Sequence, residues 1–211
     1  MAGTLDELKT RNISLIGMSN VGKSYWANKL AREHAYQLDC IDMEIERELD
    51  SYLKSEGYTG GIQDVAAWMG LPFVKRSRSR QSEYLVLEAS IMAQVLRDLP
   101  NRPGHTVIDC TGSVVHTDAE VRHELKKRTI VVYLETPASE REAMFHKFLA
   151  NPKPIIWGEH YAPLAGERDN DALARCYPLL LEASSQIYKE LADVTIPWDA
   201  HKSATFTTDR L

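Results

Sequence analysis

The chain has 211 residues, 44% of them hydrophobic and 26% charged, and a net charge of −5. That is enough for one domain spanning residues 1–211 with a sizeable core, and too little for two large ones. The acidic balance disfavours a general nucleic-acid or anionic-membrane binder, because affinity for phosphate backbones needs clustered Lys and Arg, and no run is long enough to cross a membrane.

Met1 to Arg11 is polar and lacks the apolar centre of a secretory signal. Residues 12–17 read as a first strand. Gly17-Met18-Ser19-Asn20-Val21-Gly22-Lys23-Ser24 is a complete G-x-x-x-x-G-K-[ST] phosphate-binding loop, and residues 21–34 have the character of a helix. In that strand–loop–helix setting the loop amides and the helix N-terminus wrap nucleotide phosphates, Lys23 reaches the β- and γ-phosphates, and Ser24 ligates Mg²⁺. The nucleotide-binding candidates are therefore Gly17, Ser19, Asn20, Val21, Gly22, Lys23 and Ser24, with the adjoining Tyr25.

Residues 36–41 form a short candidate strand and 43–55 an acidic helix, broken by glycines at 57, 60 and 61. Residues 62–69 read as a short helix. A long one over 79–99 carries Leu85, Leu87, Ile91, Met92, Val95 and Leu96 at helical spacing, and 100–104 ends it. Further strands are predicted at 106–110, 129–134 and 194–197, with helices at 117–127, 139–149 and 172–192, the last bent or begun at Pro178. Residues 151–171 are rich in Pro and Gly with little periodicity, which marks a lid at about 150–172. The tail, 201–211, stands as either a cover for the nucleotide base or a disordered end. Cys40, Cys110 and Cys176 are an odd number without metal-like spacing. They read as buried free thiols, so the expected location is cytoplasmic.

Alternating strands and helices predict an α/β chain with the P-loop NTPase fold, a five-stranded parallel sheet covered by helices on both faces. Ligands of such sheets lie beyond the strand C-termini, where Gly17, Asp39, Asp42, Asp109, Thr111 and Gly112 are expected to converge. A carboxylate at the end of the second strand would face the γ-phosphate and could take the proton of an acceptor hydroxyl. Asp42 holds that place, with N-capping of the next helix as the alternative role. Asp109 is either a carboxylate near Mg²⁺ or a buried partner of Ser24 or Lys23. Asp109-Cys110-Thr111-Gly112 imitates the D-x-x-G element of GTPases, but no guanine-reading N-K-x-D or T-K-x-D follows it.

Asp42-Met43-Glu44-Ile45-Glu46 resembles the second half of the Asp-x-Asp-x-x-Ile-Glu signature of the shikimate kinase family. Cys40 stands where that family has its first aspartate. The likeness continues in the Arg-x-x-Glu spacing of Arg80 and Glu83, in Lys153-Pro154-Ile155-Ile156 against the family's Arg-Pro-Leu-Leu lid phrase, and in Arg175 near the start of the long helix. The resemblance implies Mg-ATP-dependent phosphoryl transfer to a hydroxyl of a small anionic acceptor. Lys23, Asp42 and Lys153 would then be catalytic, and Asp42, Arg80, Glu83, Gly112 and Arg175 would bind the acceptor. Arg80, or else Arg76 or Arg78, would grip its carboxylate, oriented by Glu83; the candidate Mg²⁺ ligands are Ser24 and, outside the family's pattern, Asp109. Where the family has three glycines this chain has Thr111-Gly112-Ser113, which adds side chains where close approach is expected. Trp157, His160 and Tyr161 either stack on a planar acceptor or pack on the lid itself. A GTP-binding protein and a nucleotide-binding regulator without kinase activity are the alternative readings.

Overall fold

The computed structural model describes residues 12–211; the reading of Met1 to Arg11 lies outside them. Five parallel strands form one sheet: β1 (Ile13–Ile16), β2 (Gln37–Cys40), β3 (Thr106–Asp109), β4 (Ile130–Leu134) and β5 (Val194–Ile196), in the order β2-β3-β1-β4-β5. β1 pairs with β3 through Leu15 and Asp109 and with β4 through Leu15 and Val132, so β1 lies at the centre. The loop that leaves β1 is therefore flanked by the C-terminal ends of β3 and β4, which is the crevice that such sheets offer to a ligand.

The strands read as continuous apolar runs because both faces are buried. Ile13, Leu15, Val107, Val132 and Leu134 point to one face; Ile16, Ile108, Val131 and Tyr133 point to the other. The first face is covered by helix α1 (Lys23–His34) through Trp26, Ala27 and Leu30. The second carries α2 (Ile41–Ser55), α3 (Ile62–Met69), α4 (Ser77–Asp98), α5 (Ala119–Arg128), α6 (Arg141–Ala150) and α7 (Asp169–Leu191).

That uneven distribution explains the tail. After β5 the chain forms a short helix, α8 (Trp198–His201), and then lies along α1. Phe206 meets Trp26 edge-on at 5.1 Å, Leu211 is buried, and the Thr208 hydroxyl donates to Glu33 at 2.5 Å. The C-terminal residues complete a face that one helix leaves thin, which decides the open choice against a disordered end.

The helix boundaries carry two further differences. α2 begins at Ile41, with Cys40 at its N-cap, so Asp42 lies inside the first turn and does not cap it. α7 runs through Pro178 from Asp169 to Leu191. Between α6 and α7 the lid contains only a single turn of 3₁₀ helix, Gly158–His160. Among the described residues no helix is long and apolar enough to cross a membrane.

Candidate active site

The phosphate loop owes its shape to three left-handed residues, Gly17 (φ 141°), Asn20 (φ 66°) and Gly22 (φ 114°). At Gly17 a side chain is excluded as well, because a Cβ there would lie 2.8 Å from the carbonyl oxygen of Leu134. The ammonium of Lys23 is buried and folded over the loop, donating to the carbonyls of Gly17 (2.8 Å) and Met18 (3.1 Å). Ser24 and Tyr25 are exposed at the loop's exit, in the first turn of α1.

Lys202 supports the loop from outside. Its ammonium donates to the carbonyl of Val21 at 2.6 Å and lies 4.6 Å from the centre of the Trp198 ring. The carbonyl it holds belongs to the same peptide unit as the N–H of Gly22, so the contact fixes the orientation of that loop amide. Tyr25, Lys29 and Lys202 border a cavity of about 290 Å³ beside the loop.

Asp42 is half-buried where α2 leaves β2. Burial raises its pKa above the usual carboxylate range; Lys23 and Lys153 pull it down, while Asp109 and Glu46 push it up. Lys23 from the loop, Asp109 from β3 and Lys153 from the lid thus all act on Asp42 of α2. Asp109 is buried at the end of β3, with the Cys40 thiol 3.8 Å from its carboxylate. That thiol is pushed up to about 11, chiefly by burial, and stays protonated near neutrality. Asp39 does not join the group: it points to Arg102, which it pairs with at 2.5 Å.

Mg²⁺ in nucleotide sites is held by one or two side chains together with phosphates and water. The donors here suit that mode. Ser24 and Asp109 offer hard oxygens, and among the described residues no cluster of three or more His, Cys, Asp or Glu forms an all-protein cage.

The two arginines expected at the acceptor both have partners within the chain. Arg80, in the first turn of α4, donates to the carbonyl of Trp68 and lies 5.6 Å from the centre of the Trp68 ring. Glu83 is exposed and is not its partner. Arg175 makes a two-pronged pair with Glu167 (2.8 and 2.7 Å) and also donates to the carbonyl of Ala162 at 2.8 Å. It holds Glu167 at about 2 and binds the lid to α7.

The glycine shelf also differs from expectation. Thr111 and Ser113 do not stand in the crevice; both turn inward to Glu88 of α4. The Ser113 hydroxyl donates to one carboxyl oxygen at 2.6 Å and the Thr111 hydroxyl bonds to the other. Gly112 alone faces the phosphate loop, where a Cβ would fall 2.9 Å from Ser19 Oγ, and its carbonyl accepts from the Tyr188 hydroxyl. Glu88 is fully buried and is pushed up to about 7, first by desolvation and secondarily by Asp42. Sequence reasoning passed over it, although its spacing from Tyr84 and Met92 on the buried stripe of α4 was visible.

The lid is docked. Gln81 accepts from the N–H of Trp157 at 2.7 Å, and Trp157 is buried beside Phe148 and Tyr177. Arg78 pairs with Glu159. The aromatic lid residues therefore follow the self-packing alternative, since Tyr161 also lies edge-on to Trp157 at 6.1 Å.

With this geometry in view, comparisons with known proteins place the chain. No family model matches it. A shikimate kinase of Pseudoalteromonas translucida (strain TAC 125) is 30% identical over 189 residues, covering 90% of this chain and 88% of the relative. Shikimate kinase 1 of Sodalis glossinidius (strain morsitans) is 28% identical over 190 residues, or 90% and 87% of the two chains. Among solved structures, shikimate kinase from Acinetobacter baumannii in complex with shikimate superposes with a TM-score of 0.58 at 20% identity, over 98% of this chain and 90% of that one. The enzyme from Bacteroides thetaiotaomicron gives 0.55 at 14%, over 92% and 90%. The solved structures share the five-stranded parallel fold, and identity at the 30% level along nearly all of both sequences goes further: the chain belongs to the shikimate kinase family of small-molecule kinases.

Proposed function

We propose that the protein transfers the γ-phosphoryl group of Mg-ATP to a hydroxyl of a small acceptor. The observation that carries the reading is the meeting of Asp42 with two lysines from different segments, Lys23 of the phosphate loop and Lys153 of the lid. The loop amides and Lys23 hold the β- and γ-phosphates. Bound Mg²⁺, held by Ser24 and Asp109, would neutralise phosphate charge as it redistributes.

Asp42 accepts the proton of the acceptor hydroxyl as its oxygen bonds to the γ-phosphorus and the bond to ADP breaks. A carboxylate raised above its ordinary range is better matched to that task at neutral pH than an unperturbed one. Lys153 arrives on the docked lid, which keeps water from competing as acceptor.

The test is ADP release from Mg-ATP, followed with and without an acceptor, shikimate being the first tried because the relatives carry that name. Release that depends on an acceptor is expected, and Asp42→Asn should lower kcat by roughly 10²–10⁴-fold while ADP affinity is kept. An Asp42→Asn variant with unchanged kcat contradicts the assignment. Because Asp42 must be ionised, kcat should fall on acidification with a midpoint above the usual carboxylate range, and a limb lying within that range would contradict its role.

A further inference from the structure

The C-terminal segment does more than cover α1, because it sets one ammonium group against the phosphate loop. α8 is tied to the end of β4 by His201, whose Nε2 donates to the carbonyl of Glu135 at 3.0 Å. The N–H of Lys202 closes the same turn by donating to the carbonyl of Trp198 at 3.0 Å. Downstream, Phe206 on Trp26 and Thr208 on Glu33 fasten the chain to α1. Lys202 thus leaves a segment held on both sides. Its ammonium meets the Val21 carbonyl at 2.6 Å and lies 4.6 Å from the centre of the Trp198 ring. Desolvation lowers its pKa, with Lys147 adding to the effect and Glu140 opposing it, so the ammonium is turned inward although the residue as a whole is exposed.

The peptide it meets is a hinge. Gly22 has φ 114°, and a glycine there leaves the Val21–Gly22 peptide free to rotate as no other residue would. The groups on either side are already engaged. The Val21 N–H donates to the Met18 carbonyl at 3.3 Å, and the Gly22 carbonyl accepts from the Trp26 N–H at 3.2 Å where α1 begins. Only the peptide between them is left to be oriented, and Lys202 is the group that grips it. In a planar trans peptide the N–H points opposite to the C=O, so drawing the Val21 carbonyl outward turns the Gly22 N–H to the other side of the loop. The ammonium also polarises the peptide, which makes that N–H a stronger donor to an anion.

We propose that Lys202 is a positioning residue for nucleotide binding: it holds the Val21–Gly22 peptide with its N–H turned to the phosphate, so that the C-terminal segment sets part of the loop's affinity. The inference rests on the kinase reading, and its test separates the two. Mg-ADP binding is measured by calorimetry on the whole protein and on Lys202→Met, Lys202→Arg and Thr208→Val. Lys202→Met should weaken binding about tenfold, the scale of one lost charge-assisted contact. Lys202→Arg, which keeps charge and donors, should recover most of it. Thr208→Val loosens the segment from α1 without touching the loop, so it should lower the melting temperature and leave ADP affinity little changed. Lys202→Gln, which keeps a donor without the charge, supplies the same comparison if Lys202→Met does not fold. A wild type that binds no Mg-ADP overturns the kinase reading and the inference together. A wild type that binds, with affinity unchanged on loss of the Lys202 charge or weakened equally by Thr208→Val, overturns the inference alone.

Discussion

Glu88 shows how one residue changes the meaning of a motif. Read as letters, Thr111-Gly112-Ser113 obstructs a shelf; in three dimensions both hydroxyls are drawn behind the shelf by a buried carboxyl group. Such a group leaves a thermodynamic signature. Glu88 titrates at about 7 in the fold instead of its ordinary 4.5, so between those values the native state retains a proton that the unfolded chain has released. Stability from the neutral carboxyl is full below about pH 4.5 and is lost as pH rises to about 7, an effect on the order of 3 kcal/mol. Asp42 acts in the same direction and His116 in the opposite one. The informative quantity is therefore the difference between the protein and its Glu88→Gln variant. Urea denaturation at pH 5 and pH 8 should show the wild type losing stability relative to the variant as pH rises, and a constant difference would refute the shifted carboxyl.

The residue scale also marks where the sequence was legible. The phosphate loop could be assigned because its chemistry is local: glycines, a lysine and a serine at fixed spacing between a strand and a helix. The partners of Arg80 and Arg175 were not legible, because a side chain's partner is set by tertiary packing, and Trp68, Glu167 and Ala162 lie 8 to 13 residues away along the chain.

At the scale of elements, the lid is joined to α4 through Gln81, which receives the N–H groups of Trp157 at 2.7 Å and Gly158 at 3.4 Å, and through the Arg78–Glu159 pair. The latter is exposed and contributes little. The former is buried, and replacing Gln81 by Leu would leave the Trp157 amide without an acceptor, at a cost of about 1–3 kcal/mol. Equilibrium unfolding should register that loss. If lid docking forms the acceptor wall, the same variant should raise the acceptor KM several-fold with little change in KM for ATP. Equal rises in both would point to a general loosening and not to a lid effect. Strands and long helices were readable from period and length, and their observed ends differ from expectation by a residue or a few. The C-terminal segment was not readable, because residues 201–211 have no periodicity and their order comes from contact with Trp26 and Glu33, far away in sequence.

At the scale of the molecule, the order β2-β3-β1-β4-β5 brings the phosphate loop, Asp42 and Asp109 to one end of the sheet, and the docked lid brings Lys153 near enough to act on Asp42. The same architecture leaves one face to α1 alone, and the C-terminal segment finishes it while Lys202 holds the loop. The phosphate loop and the packed C-terminus thus share a boundary. Asp109-Cys110-Thr111-Gly112 lies beside the loop as a GTPase element would, but Thr111 is committed to Glu88 and Gly112 is packed against Ser19.

Whether the phosphate loop binds ATP for a kinase reaction is decided by the melting temperature in Mg-ATP and in Mg-GTP, for the protein and for Lys23→Met. A ligand that binds only the folded state stabilises it by mass action, by about 2.7 kcal/mol at one hundred times its Kd. A kinase site of this kind gives a rise with ATP well above that with GTP, lost in the variant. Selectivity for GTP, or a rise with ATP that survives loss of Lys23, would contradict it.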